Sequence, residues 1–105
     1  MEMSNCIALG VGEGRLEEAA ALYEKLGMKR AQAKDNWIEM QSGPMRLFLV
    51  GDEQGTPTFD IQVADVNQAM QQFLAEGCEE VQLGSSPDER FIRTPFGHFF
   101  CVSPK

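Results

Sequence analysis

Eight side chains in this sequence have the types and spacing for chemistry: Trp37, Glu39, Arg46, Phe48, Asp60, Phe91, Arg93 and Phe99. Each is the aromatic or charged member of a short alternating run whose other members are aliphatic, as in Trp37-Ile38-Glu39-Met40 and Arg46-Leu47-Phe48-Leu49. In a strand, side chains alternate between the two faces of the sheet. The aliphatic partners then form a core, and the eight residues line the opposite face. An apolar lining with a few placed polar groups is the usual makeup of a small-molecule site. Thr58 and Gln62 add neutral polar groups to it. Glu39 and Asp60 could work as an acid and a base if their environments split their pKa values. Neutralisation of Glu39 by an arginine of the same lining, Arg93, is the favoured alternative, because opposite charges lower the desolvation cost. No catalytic residue is assigned. The sequence has no G-x-S-x-G, no C-x-x-C and no phosphate-cradling glycine loop. Gly10-Val11-Gly12-Glu13-Gly14 reads as a flexible turn from strand to helix.

The elements that must hold these residues repeat. Leu16, Ala19, Ala20, Tyr23 and Leu26 have the spacing of an amphipathic helix over about 15–26. Val66, Ala69, Met70, Phe73 and Leu74 predict a second over about 66–76, with Asp65 as its N-cap. Gly27 and Gly77 follow as left-handed C-terminal stops. Strand-like runs precede each helix, at Cys6–Val11 and Thr58–Val63. Three more follow each: Lys29–Ala31, Asn36–Gln41 and Met45–Val50, then Glu80–Leu83, Glu89–Arg93 and His98–Val102. Gly51–Pro57 reads as a linker. The chain is therefore one α+β domain over 1–105, made of two β-α-β-β-β modules at about 1–51 and 57–105. Alternation assigns Ile7, Leu9, Val11, Ile38, Met40, Leu47 and Leu49 to the first core. It assigns Phe59, Ile61, Val63, Ile92, Phe100 and Val102 to the second. Under the repeat, Trp37 is matched with Phe91 and Glu39 with Arg93.

Paired modules of this kind resemble the vicinal oxygen chelate superfamily, which includes glyoxalase I, the bleomycin-resistance proteins and the extradiol dioxygenases. Leu22-Tyr23-Glu24-Lys25-Leu26-Gly27-Met28 resembles the family's F-Y-x-x-x-L-G-F helix end. Phe59-Asp60-Ile61-Gln62-Val63-Ala64-Asp65-Val66 is similar to its x-x-F-x-V-x-D-V strand. Thr94-Pro95-Phe96-Gly97-His98-Phe99-Phe100 is similar to its D-P-x-G-N-x-x turn. The resemblance implies a pseudo-twofold pair of modules, a curved mixed sheet with helices on its outer face, and a cleft on the concave face. Family enzymes hold a divalent metal on the first and last strands of each module. The corresponding positions here are Cys6, Phe48, Thr58 and Cys101. Phe48 has no donor atom and Thr58 is a poor one, so the imidazole and carboxylate set is degenerate. The expectation is no metal and no cofactor.

Net charge and cysteine count narrow the class. Nine Lys and Arg against 16 Asp and Glu give a net charge of −7, which disfavours nucleic acid and anionic membranes as partners. Three cysteines are too few for a disulfide framework, and the first residues lack a signal-peptide pattern, so a reducing, cytoplasmic setting is expected. The reading is a metal-free small-molecule binding protein of the bleomycin-resistance type, sequestering a planar or cationic compound, and a homodimer. Two alternatives stay open. One is a glyoxalase-like enzyme (lyase, isomerase or dioxygenase) using carboxylates or an unusual metal site. The other is a non-catalytic dimerisation module.

Overall fold

Both helices stop by the same device. In the computed structural model, which describes residues 1–51, 57–83 and 89–105, α1 spans Leu16–Lys25 and α2 spans Val66–Ala75. Gly27 and Gly77 sit at φ 102° and 95°, a region that disfavours residues with a Cβ. Behind each glycine the chain folds back in the same pattern. The Gly27 and Met28 N–H groups donate to the Glu24 and Tyr23 carbonyls at 3.0 and 3.1 Å. The Gly77 and Cys78 N–H groups donate to the Leu74 and Phe73 carbonyls at 3.2 and 3.0 Å. These are Schellman caps, which satisfy carbonyls the helix leaves open. Asp65 caps α2 as expected, its carboxylate accepting from the Gln68 N–H at 3.1 Å. No side chain caps α1; Glu17 and Glu18 place negative charge in its first turn instead.

Eight strands complete the fold: β1 Glu2–Gly10, β2 Lys29–Lys34, β3 Trp37–Ser42, β4 Met45–Val50, β5 Pro57–Val63, β6 Glu79–Val81, β7 Arg90–Arg93 and β8 Phe99–Pro104. The chain order is β-α-β-β-β twice, an α+β fold. Two compact units divide it, Asn5–Pro57 and Thr58–Lys105, the latter joined by Met1–Ser4. In the first module β1 runs parallel to β4, and β3 pairs antiparallel with both β4 and β2. The second repeats this: β5 runs parallel to β8, and β7 pairs antiparallel with β8 and β6. Residues 52–56 of the expected linker lie outside the described residues.

Each helix covers one face of its own module's sheet. Ala20 of α1 packs with Ile38, Met40 and Leu49, and Leu9, Val11 and Leu47 join them. Ala69 and Met70 of α2 pack with Ile61, Val63, Ile92 and Val102, with Phe100 alongside. These are the faces that alternation assigns. Two of the assigned residues stand outside these clusters: Ile7 is half-buried, and Phe59 is 36% exposed, with its ring 5.8 Å from that of Phe100. Among the described residues no helix is long and apolar enough to cross a membrane.

Strand ends differ from the sequence expectation where polarity hides them. β1 starts at Glu2 rather than Cys6, through residues with no apolar alternation. All six residues of β2 are exposed, so only its backbone pairing with β3 reveals its length. β8 runs to Pro104 because its parallel pairing with β5 continues through Gln62↔Ser103 and Val63↔Pro104. The Lys105 N–H then donates to the Val63 carbonyl at 2.9 Å.

Candidate functional site

The helix-free face of the first module gathers four of the expected residues around one buried carboxylate. Glu39 is 2% exposed. Its oxygens accept two hydrogen bonds from Arg46, Nε to Oε2 at 2.9 Å and Nη2 to Oε1 at 3.2 Å. Glu39 and Arg46 sit diagonally across β3 and β4, since Glu39 is opposite Phe48 and Arg46 is two residues earlier. The long arginine spans that diagonal, and its planar fork matches the carboxylate. The same guanidinium lies over the Phe48 ring, 5.1 Å from its centroid. Trp37 meets that ring edge-on, with centroids 5.5 Å apart at 67°. Arg46 Nη1 donates to Cys6 Sγ at 3.8 Å across the β1–β4 pair. The hydrogen bonds from Arg46, helped by its charge, hold the Glu39 carboxyl below the usual range against the upward push of burial. The guanidinium of Arg46 is correspondingly held up by Glu39.

The partner of Glu39 is therefore Arg46, not Arg93. Arg93 pairs with Glu79, its cross-strand neighbour on β6. Strand register explains the difference. Met40 pairs with Leu47 and Ile92 with Phe100, and Leu47 and Phe100 face Ile7 and Phe59 on the parallel strands. Met40 thus corresponds to Ile92, and Glu39 to Phe91. The expected matches of Glu39 with Arg93 and of Trp37 with Phe91 are each two residues out, because the connections before β3 and β7 differ in length. Where the first module buries the Glu39 carboxylate, the second buries Phe91, 7% exposed.

Sequence reading missed Gln32. Its Nε2 donates to Glu39 Oε1 at 3.4 Å. A β-bulge between Arg30 and Gln32 brings it there, since regular pairing would have set Ala31 opposite Glu39. No composition signal marks that bulge.

On the second module, Thr58, Asp60, Phe91, Phe99 and Cys101 share the helix-free face by register, with Thr58↔Phe99, Asp60↔Cys101 and Phe91↔Cys101 paired. Arg93 is paired with Phe99 on the same strand set, but its charge is spent on Glu79. Asp60 Oδ1 accepts from Ser103 Oγ at 2.9 Å. Extending the alternation of Phe99 and Cys101 by one more step would have found Ser103. Glu89 is the other residue missed: the Cys101 thiol points at its Oε2, 3.8 Å away. Burial, then the charges of Glu89 and Asp60, push the Cys101 thiol up to about 12. Iodoacetamide at pH 8 is therefore expected to modify Cys101 at least ~100-fold more slowly than it modifies free cysteine, because so little thiolate is present. Peptide mass spectrometry over a time course reads this directly, and comparable rates would refute it.

No family model matches the sequence, and no curated protein matches it. Solved structures do. A glyoxalase/bleomycin resistance protein/dioxygenase superfamily member from Vibrio splendidus 12B01 is similar over 99% of this chain and 98% of its own, with a TM-score of 0.64 and 14% identity. A hypothetical protein from Bacillus halodurans C-125 is similar over 99% and 94%, with a TM-score of 0.70 and 12% identity. The fold is that of the glyoxalase/bleomycin resistance/dioxygenase superfamily. The Mn(II)-bound glyoxalase from Novosphingobium aromaticivorans also shares it, over 98% of this chain and 38% of its own, with a TM-score of 0.65 and 15% identity.

That last neighbour holds a metal, so the fit of this chain's residues to one can be tested. They do not fit. Phe48 has no donor atom, and the Arg46 cation covers its ring. Cys6 already accepts a hydrogen bond from that cation. Thr58 offers only a neutral hydroxyl, a poor metal donor. Among the described residues, no three of His, Cys, Asp and Glu are grouped to hold an ion.

Proposed function

We propose that this chain is a metal-free small-molecule binding protein, a homodimer that sequesters a planar or cationic compound without transforming it. The observation that supports this best is the Glu39–Arg46 pair. It fixes a guanidinium over Phe48, whose ring Trp37 meets edge-on, giving an aromatic wall whose charges are already neutralised. Such a wall is pre-organised for stacking and costs little desolvation when a planar ligand covers it. A catalytic role for Glu39 has less support. Both its oxygens are engaged and its carboxyl is held below the usual range, which makes it a poor proton acceptor near neutral pH. Dimerisation follows the general need of small modules with open faces to bury more apolar surface, and a twofold dimer is the commonest closure. The acidic balance supports small molecules rather than nucleic acid or membranes as partners, and three cysteines, too few for a disulfide framework, support a reducing cytoplasm.

Trp37 is the chain's one tryptophan, so its emission reports on this wall alone. Titration with a set of planar aromatic compounds is expected to quench or shift that emission saturably for at least one of them. The Phe48→Ala variant should bind the same compound ~5-fold or more weakly, in line with the loss of one aromatic contact. Saturable binding that leaves Trp37 emission unchanged would contradict the placement.

A further inference from the structure

We propose that the helix-free face of the second module binds a protonated amine, held between Asp60 and Glu89 beside Cys101. The inference rests on the binding-protein reading above and names the class of ligand.

The charge distribution within this module carries it. Its Arg and Lys side chains are Arg90, Arg93 and Lys105, and all three are engaged: Arg90 with Glu80, Arg93 with Glu79, and Lys105 with Glu2. Asp60 and Glu89 are in no ion pair among the described residues. Both lie beside Cys101: Asp60 is its neighbour across the β5–β8 pair, and its thiol points at Glu89 Oε2, 3.8 Å away; after burial, their charges add to the upward push on that thiol. Asp60 is half-buried, and among the described residues its side chain accepts one hydrogen bond, from the neutral Ser103 hydroxyl. The half-buried Asp60 and the exposed Glu89 therefore flank a half-buried thiol, and every Arg and Lys of the module is engaged elsewhere. A bound cation would supply the missing charge.

A second observation lies on the same face. Thr58 is 8% exposed, two residues before Asp60 on β5. Its hydroxyl makes no hydrogen bond among the described residues, yet no buried side-chain oxygen or nitrogen is both fully enclosed and unpaired. That hydroxyl is thus an open acceptor in an otherwise buried residue, aimed along the face that carries Asp60. An ammonium group has N–H donors for exactly such a set of oxygens, two carboxylates and a hydroxyl. A metal ion suits it poorly, because among the described residues no three of His, Cys, Asp and Glu are grouped to hold one. Phe99, opposite Thr58, and Phe91, opposite Cys101, add aromatic surface for an aryl or alkyl substituent on the amine.

Isothermal titration of the purified chain, in chelator, with benzylamine and with its neutral analogue benzyl alcohol tests this. Benzylamine is expected to bind at least ~10-fold more tightly than the alcohol, and Asp60→Asn and Glu89→Gln are each expected to weaken it ~5-fold. Both variants should melt like the parent protein, which separates lost binding from lost folding. Equal affinities for amine and alcohol, no measurable binding of the amine, or unchanged affinity in both variants would overturn the proposal. So would Mn(II) binding more tightly than benzylamine and lost in both variants. If a neutral planar compound still perturbs Trp37 while benzylamine fails, the binding-protein reading stands and only the amine is removed.

Discussion

Arg46→Ala is expected to lower the melting temperature by about 10 °C, and Glu39→Gln by no more than about half of that. The asymmetry comes from exposure. Arg46 is 40% exposed, so without its partner it can turn into water. Glu39 is 2% exposed, and without Arg46 it keeps only the long hydrogen bond from Gln32 at 3.4 Å. A buried carboxylate stripped of its cation costs much more than an arginine released to solvent. The pH dependence has a definite sign. In the parent protein the Glu39 carboxyl is held below its ordinary value by Arg46. Its stabilising contribution is therefore complete above the unfolded-state pKa of roughly 4.3, and is lost as pH falls through the lower folded value. In Arg46→Ala burial is opposed only by the long Gln32 hydrogen bond, so the carboxyl is raised. The penalty is then full at neutral pH and fades as pH falls through that raised value. The gap in melting temperature between the two proteins should shrink from pH 7 to pH 4.5. A gap that is constant or widens over that range would show that Glu39 is not buried against Arg46.

Ile38→Ala is expected to cost ~3 kcal/mol, and its neighbour Trp37→Ala only about 1 kcal/mol. Ile38 is 2% exposed and packs under α1 with Ala20, Met40 and Leu49, so truncation leaves a cavity in the core. Trp37 points to the other face, where it is half-buried and its ring contact is the edge of Phe48. Urea denaturation of both variants decides the matter. The reverse order of costs would mean that the faces of β3 are exchanged, which would move Glu39 into the core and Met40 onto the wall.

The facing of the strands was legible because alternation is a local property. Ile38 and Met40, Leu47 and Leu49, and Ile61 and Val63 each announce a buried side by contrast with their neighbours. The helix ends were legible for a similar reason, since Gly27 and Gly77 take backbone angles that other residues resist. The partners of the polar residues were not. Glu39 finds Arg46 through the register of β3 on β4, and Gln32 through a bulge in β2, neither of which any local pattern encodes. Matching Glu39 with Arg93 failed because counting along a repeat carries every difference in loop length into the next strand. Ser103 was hidden for a simpler reason: a polar serine beside a proline looks like the end of a strand, while pairing with β5 carries β8 through both.

The claim that the site works without a metal meets its most direct test in one titration. A planar compound that saturates the Trp37 signal is titrated in EDTA and again with excess Mn(II), and product formation is followed in the same samples. The expected result is the same dissociation constant in both, within about twofold, with the compound recovered unchanged. Binding at least ~10-fold tighter with Mn(II), or conversion of the compound only when the metal is present, would contradict it.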